Sequence, residues 1–325
     1  MPTDYTLTDH TQVPDLTRQF VDLSNLAFAE YEGAMQFGHE WGEWYLSRPG
    51  TDRRLCQAAL AGEEMISQVL VAVQELQIGG ELLRCGIIDS VATHPDHRRQ
   101  GLARLLMDRA HEAMRETARV DAAVLYTNPA GHPCQFYGRL GYLTRARAAL
   151  ITGRRPNGEP SVQPVDPDEH ADGLIALLNR YYGDYEGYTP LSSDLWRWHK
   201  LTAPDSTGLQ VMARLDAGRP TATVSFANVE LLLGGERREV SIAYDLAAER
   251  LEAGRMAHIL AAAPREWVAM IVDERSREMA LARELGLDAE MGEVAMVLPF
   301  SAQARMALAQ QPTVWYPMIE SLIGV

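Results

Sequence analysis

Val91-Ala92-Thr93-His94-Pro95-Asp96-His97-Arg98-Arg99-Gln100-Gly101-Leu102-Ala103 is the stretch on which the reading of this chain turns. The residues up to Thr93 predict the end of a strand, His94 to Gln100 a loop, and Gly101 onward the start of a helix. Such a turn offers unpaired backbone N–H groups and the positive end of a helix dipole, and here also two arginines. Together these suit a diphosphate. Gly101 lets the main chain approach an anion with no Cβ in the way, and Ala103 is small enough for close packing of the helix start. Arg98 and Arg99 can add charge-assisted hydrogen bonds. Leu102, Leu105, Leu106, Ala110 and Met114 give the helix an apolar face. No Gly-Lys-Ser/Thr and no preceding Gly-x-Gly is present, so neither a Walker-type loop nor a dinucleotide-binding turn fits.

Arg98-Arg99-Gln100-Gly101-Leu102-Ala103 resembles the acyl-CoA signature of the GNAT superfamily of N-acetyltransferases, Arg/Gln-x-x-Gly-x-Gly/Ala after a β-strand. Downstream, Phe136-Tyr137-Gly138-Arg139-Leu140-Gly141-Tyr142 resembles the second signature of that family, Tyr-x-x-x-Gly-Phe/Tyr, in the expected order. The resemblance implies a strand ending at Thr93 that splays from its neighbour and takes the pantetheine arm of acetyl-CoA along Val91, Ala92 and Thr93. It assigns Arg98, Arg99, Gln100, Gly101, Leu102 and Ala103 to the pyrophosphate and adds Asn128 to the cofactor contacts. It also makes Tyr137 the acid that protonates the departing thiolate, a role a phenol neutral at pH 7 can fill. Acetyl would pass directly to an amine, so Cys134 is read as a packing residue and not as a nucleophile. Asp89, two residues before Val91 and on the same face by strand alternation, is the candidate base; a structural hydrogen bond is its competing reading.

The bulk numbers agree with an enzyme of this kind. At 325 residues the chain exceeds the usual single core of about 100–150 residues, which predicts two domains. The 46% hydrophobic and 23% charged content is that of a soluble globular protein. A net charge of −14 argues against nucleic-acid binding. It is uneven: residues 1–155 carry 19 acidic and 16 basic side chains, residues 156–325 carry 25 and 14. The half that docks a polyanion is thus the nearly neutral one. Cys56, Cys85 and Cys134 form no metal-type pair and predict a reduced, cytoplasmic setting, with no metal. His94 and His97 lack a third ligand in the sequence, so zinc is not expected. No apolar run suggests a membrane span or signal segment.

Periodicity predicts strands near 5–8, 54–61, 65–78, 82–93, 122–126 and 142–152, with helices over 15–30, 39–47, 101–119 and 134–140. Arg154 to Pro160 reads as a linker. The order then repeats: strands near 162–165, 209–215, 221–233, 239–246, 267–272 and 290–299, helices near 169–182, 192–201, 256–263 and 276–285. The fold class expected is α/β (α+β), with two tandem GNAT-like domains, each a mixed, mostly antiparallel central sheet flanked by helices. Their bounds are 1–155 (catalytic), 160–300 (degenerate) and 301–325 (extension). The second copy departs at both critical points. Glu249 and Glu252 stand where phosphates need cations, and if Gly286 matches Gly141, Ala282 stands where Tyr137 does.

The tandem arrangement resembles the enhanced-intracellular-survival type of acetyltransferase, without its sterol-carrier domain. The reaction expected is acetyl transfer from acetyl-CoA to a primary amine of a small, cationic molecule. An acid-lined aromatic groove from Tyr31, Glu32, Trp41 and Trp44 motivates the cation. A non-catalytic acyl-CoA-binding or scaffold protein, and a protein or peptide N-acetyltransferase, are the alternatives. Homo-oligomerisation is open; no nucleic-acid or membrane partner is expected.

Overall fold

The computed structural model describes residues 5–29 and 36–317. In chain order the first elements are β1 (Thr6–Asp9), α1 (Leu16–Phe28), α2 (His39–Leu46), β2 (Gln57–Ala61), β3 (Glu64–Ile78), β4 (Glu81–Thr93), α3 (Leu102–Glu116) and β5 (Ala122–Thr127). Next in order are α4 (His132–Arg139), β6 (Leu143–Arg154), β7 (Gln163–Pro164), α5 (Ala171–Tyr182), α6 (Ser193–Trp196), β8 (Gln210–Asp216), β9 (Arg219–Leu233) and β10 (Glu236–Ala248). The last are α7 (Ala253–Leu260), β11 (Trp267–Asp273), α8 (Arg277–Glu284), β12 (Asp288–Pro299) and α9 (Ala302–Ala309). The fold is mixed α/β with mostly antiparallel strands, as the periodicity predicts. Among the described residues, no helix is long and apolar enough to cross a membrane.

The chain divides into two compact units that are not contiguous in sequence. One comprises Met1–Glu75, Leu83–Leu125 and Val297–Met306; the other comprises Leu76–Leu82, Tyr126–Met296 and Ala307–Val325.

In the first unit the strand order is β1-β2-β3-β4-β5. β4 and β5 run parallel and pair only over Cys85–Ile87 and Ala122–Val124. α1 buries Leu16, Phe20, Leu23 and Ala27, the three-to-four spacing of one helical face. α3 buries Leu102, Leu106, Met107, Ala110 and Met114, whereas Leu105, counted on that face from sequence, is 43% exposed. Gly86 on β4 admits this helix: a Cβ there would lie 2.1 Å from the Met114 sulfur.

In the second unit the order is β12-β6-β11-β10-β9-β8-β7. Strands β7 to β10 are successively antiparallel, β10 and β11 are parallel over Val240–Ile242 and Trp267–Ala269, and β11 pairs antiparallel with β6. One face of this sheet buries Ile151, Val224, Phe226, Met256, Ile259 and Val268; the other buries Ala227, Val229, Val240 and Ile242. Apolar residues on both faces explain the near-continuous hydrophobic run of β10.

Candidate active site

β4 carries the first part of the site. Beyond Ile87 it parts from β5, and at Ser90 the backbone turns to φ +46°. A left-handed residue inside a strand is a bulge, which breaks simple alternation. Period-two spacing therefore does not carry from Asp89 to Val91 and cannot place the two side chains on one face. Past the bulge, the His94 N–H donates to Ile66 O at 2.8 Å and Ala92 O accepts from the Ser67 hydroxyl at 3.0 Å. Main-chain groups of Ala92 and His94 thus face β3, and those of Val91 and Thr93, one residue out of phase, turn toward the side β5 has left.

The turn after β4 holds two left-handed residues, Arg99 at φ +62° and Gly101 at φ +82°. Such alternation turns successive N–H groups inward and makes a concave anion cradle. α3 begins at Leu102, and the Leu105 N–H is the first to find an acceptor in the preceding turn, Gly101 O at 3.0 Å. The amides of Leu102, Ala103 and Arg104 precede that first bond and point out of the helix start. A Cβ built on Gly101 would meet no atom within 4 Å, so the space beside the cradle is open.

The two arginines differ. Arg98 braces the turn, donating from Nη2 to Ala27 O at 2.9 Å and from Nε to Thr93 O at 3.3 Å. Gln100 is held from outside, its Oε1 accepting from the Tyr5 hydroxyl at 2.6 Å. The His97 Nδ1 contacts the same hydroxyl at 3.0 Å, and the His94 Nδ1 accepts from the Asp96 N–H at 3.2 Å. Both histidines are therefore parts of the loop's own hydrogen bonding. Among the described residues, no group of three or more His, Cys, Asp or Glu could hold a metal ion.

Asp89 is half-buried and engaged at both oxygens. Oδ1 accepts from the Ser90 N–H at 2.6 Å, and Oδ2 accepts from the Tyr45 hydroxyl. Tyr45 was not visible as a site residue in the sequence. It lies one turn after Trp41 on α2 and is fixed by stacking, with ring centroids 4.5 Å apart. Trp41 in turn stacks on Phe37 at 4.0 Å and on Phe20 at 6.2 Å.

This stack corrects the expected acceptor groove. Trp41 and Trp44 are 2% and 5% exposed, core residues of the first unit and not the walls of a groove. Eight residues of α2 cannot bury one face and also expose both indoles; burial of the large apolar rings wins. Tyr31 and Glu32 lie outside the described residues.

In the second unit, Tyr137 sits on α4, 8% exposed, edge-on to Phe136 and Tyr142. The helix ends in a Schellman-like turn: Tyr142 N–H donates to Tyr137 O at 3.1 Å and Gly141 N–H to Gly138 O at 3.1 Å, with Gly141 at φ +94°. α8 ends the same way, Leu287 N–H to Ala282 O and Gly286 N–H to Arg283 O, both at 3.0 Å. Ala282 therefore holds the position in its turn that Tyr137 holds in the other, and brings no phenol. Asn128 is exposed, its Oδ1 accepting from the Ala130 N–H at 2.8 Å in a tight turn. Burial pushes the Cys56 thiol up to about 12 and raises that of Cys85 as well, leaving both inert at neutral pH.

Residues 11–144 match the family described as "Acetyltransferase (GNAT) domain". The matched segment takes in Asp89, the loop and Tyr137. No curated protein sequence matches the chain. Among solved structures, a conserved Enterococcus faecalis V583 protein described as a probable N-acyltransferase is similar at 15% identity and a TM-score of 0.66, over 93% of this chain and 74% of that one. Saccharomyces cerevisiae N-myristoyltransferase with bound myristoyl-CoA is similar at 11% identity and a TM-score of 0.70, over 93% and 84%. At such identities the likeness is one of fold.

Proposed function

We propose that this N-acetyltransferase, which carries a GNAT domain over residues 11–144, moves acetyl from acetyl-CoA to a primary amine of a small molecule. The observation that carries the reading is the left-handed pair Arg99 and Gly101 at the open start of α3, directly after a strand that has parted from its parallel neighbour. An anion with two phosphates matches a cradle of inward amides at a helix N-terminus. The yeast neighbour's bound myristoyl-CoA supports an acyl-CoA in a chain of this fold.

In the reaction proposed, main-chain groups of Val91 and Thr93 hydrogen-bond the pantetheine arm as an added strand. A backbone N–H there polarises the thioester carbonyl. The amine attacks, a C–N bond forms, and the C–S bond breaks as the tetrahedral intermediate collapses. Asp89 takes the amine's proton, held in place by the Tyr45 hydroxyl. Tyr137 gives its phenolic proton to the leaving thiolate. The preference for a cationic acceptor rests on Tyr31 and Glu32 in the sequence, since Trp41 and Trp44 are core residues.

Calorimetric titration with acetyl-CoA tests the cofactor, repeated on Gly101→Val, whose branched Cβ enters the cradle. Binding by the parent and at least a hundredfold loss in the variant are expected; no binding by the parent overturns the reading. Turnover across small amines and peptides, with Tyr137→Phe as control, separates an enzyme from a CoA-binding scaffold and small-molecule from peptide acceptors.

A further inference from the structure

The second unit repeats the divergence seen between β4 and β5. β10 and β11 pair in parallel over Val240–Ile242 and Trp267–Ala269 and then separate. Ser90 stands three residues past Ile87 at φ +46°; Asp245 stands three past Ile242 at φ +52°, and the register with β9 shifts between Tyr244 and Ala247. The strands thus part in the same pattern at both places.

We propose that the cleft between β10 and β11 is a peptide-binding site whose occupant is this chain's own segment Pro312–Pro317, seated as an intramolecular ligand. The segment bonds both lips. On β11, the Trp315 N–H donates to Asp273 Oδ2 at 2.9 Å; on β10, the Tyr316 hydroxyl donates to Asp245 Oδ1 at 2.6 Å. Its main chain is read as a strand: Glu186 N–H donates to Val314 O at 2.8 Å and Tyr316 N–H to Glu186 O at 2.7 Å. This is the backbone pairing by which extended peptides dock. The indole is accommodated specifically. Gly187, at φ +75°, would put an added Cβ 2.2 Å from the Trp315 ring, and Trp315 Nε1 donates to the Tyr126 hydroxyl at 3.0 Å. Arg275 closes the entry, donating to Pro312 O at 3.1 Å. The space left among Tyr182, Asp245, Asp273, Trp315 and Tyr316 is about 40 Å³. That is room for about three waters, at roughly 10–15 Å³ each.

The lips are built to survive the segment's departure. Asp245 keeps the Lys200 ammonium at 2.6 Å, and Asp273 keeps the Arg275 guanidinium at 2.7 Å. No buried carboxylate would be stranded without a cation, and the segment's departure would open the pocket now filled by the Trp315 ring, which is 2% exposed when seated.

A chain ended after Gln311, titrated with a synthetic peptide of residues 312–325, tests the proposal. One-to-one binding is expected, weakened at least tenfold in a peptide carrying Trp315→Ala and Tyr316→Phe. Absence of binding to a shortened chain that still binds acetyl-CoA overturns it, and that titration reports the first-unit reading separately. Should the shortened chain not fold, hydrogen exchange on the full chain decides: in Trp315→Ala the amides of Glu186 and Tyr316 should exchange at least tenfold faster than in the parent. Equal rates in the two proteins overturn the proposal.

Discussion

Two strand pairs in this protein, β4 with β5 and β10 with β11, part after the same length of parallel ladder and bulge at the same point. Past the bulges the two paths differ. After β4 the chain takes two left-handed turns, at Arg99 and Gly101, and enters α3 with its first amides open. After β10 it reaches α7 with no positive φ between Asp245 and Gly286 among the described residues; Glu249 is paired with Arg219 at 2.5 Å and Glu252 precedes the helix. One cleft has two left-handed residues and an open helix start at its mouth. The other has carboxylates there and the chain's own Trp315 and Tyr316 across its lips. Strand divergence is thus common to both units, whereas the turn beyond it differs.

Trp41→Ala probes whether the α2 aromatics belong to the core or to a substrate wall. A loss of about 3–5 kcal/mol in denaturant unfolding is expected for a buried ring. An unchanged midpoint with a raised KM would return Trp41 to an acceptor groove. Lys200→Met tests the base of the second cleft. Lys200 is buried beside Asp245 and 4.0 Å from the Tyr244 ring centroid, so its removal strands a carboxylate at a cost of about 3–5 kcal/mol. An unfolding midpoint equal to the parent's would show that Asp245 is not ionised there.

Acidification should separate the two units. In the first, burial lowers His10 to about 4, and burial with Arg115 lowers His111 to about 4. A ring neutral when folded and charged when unfolded stabilises fully above pH 6.5 and loses that contribution as pH falls toward 4. For His10 the change is about 3 kcal/mol. In the second unit burial raises Asp245, but Lys200, His199 and the hydrogen bonds from Lys200 and Tyr316 outweigh it and hold the carboxyl below its ordinary value. Its contribution is present above about pH 4 and fades only as pH drops further. Hydrogen exchange from pH 7 to 4 should show α1 and α3 opening before β10; simultaneous opening would contradict the difference.

Gly101→Ala should cost about 1–2 kcal/mol at this left-handed position and weaken acetyl-CoA binding at least tenfold by calorimetry, with β10 and β11 unaffected. Tyr316→Phe is the mildest change. It removes one hydrogen bond to a carboxylate that keeps Lys200, so a loss of about 1–2 kcal/mol is expected in thermal unfolding.

Most elements in this fold were legible from local pattern, because period and turn chemistry act over a few residues; α9, which falls in the stretch read as an extension, was not. The turn that begins α3 was legible for the same reason: Gly101 after a strand and before an amphipathic helix is a short-range signal. The equivalence of Ala282 with Tyr137 also came from spacing, since the two helix ends use one turn geometry. Where local pattern misleads at the site, the cause is long-range. Sequence does not say which face of α2 is covered, so Trp41 and Trp44 suit a groove until the core around them is seen. Alternation places Asp89 only as far as the bulge at Ser90, which interrupts it.

The sequence by itself determined the order and kind of the elements up to β12, the place of the turn that opens α3 and the absence of a second phenol at Ala282. Only the tertiary structure decided that Tyr45 holds Asp89 across 44 residues and that Tyr316 reaches Asp245 across 71. Propensities and turns are set by neighbours along the chain and so are written in it locally. Which distant side chains meet depends on how strands diverge and rings pack, and that is fixed only when the whole core has closed.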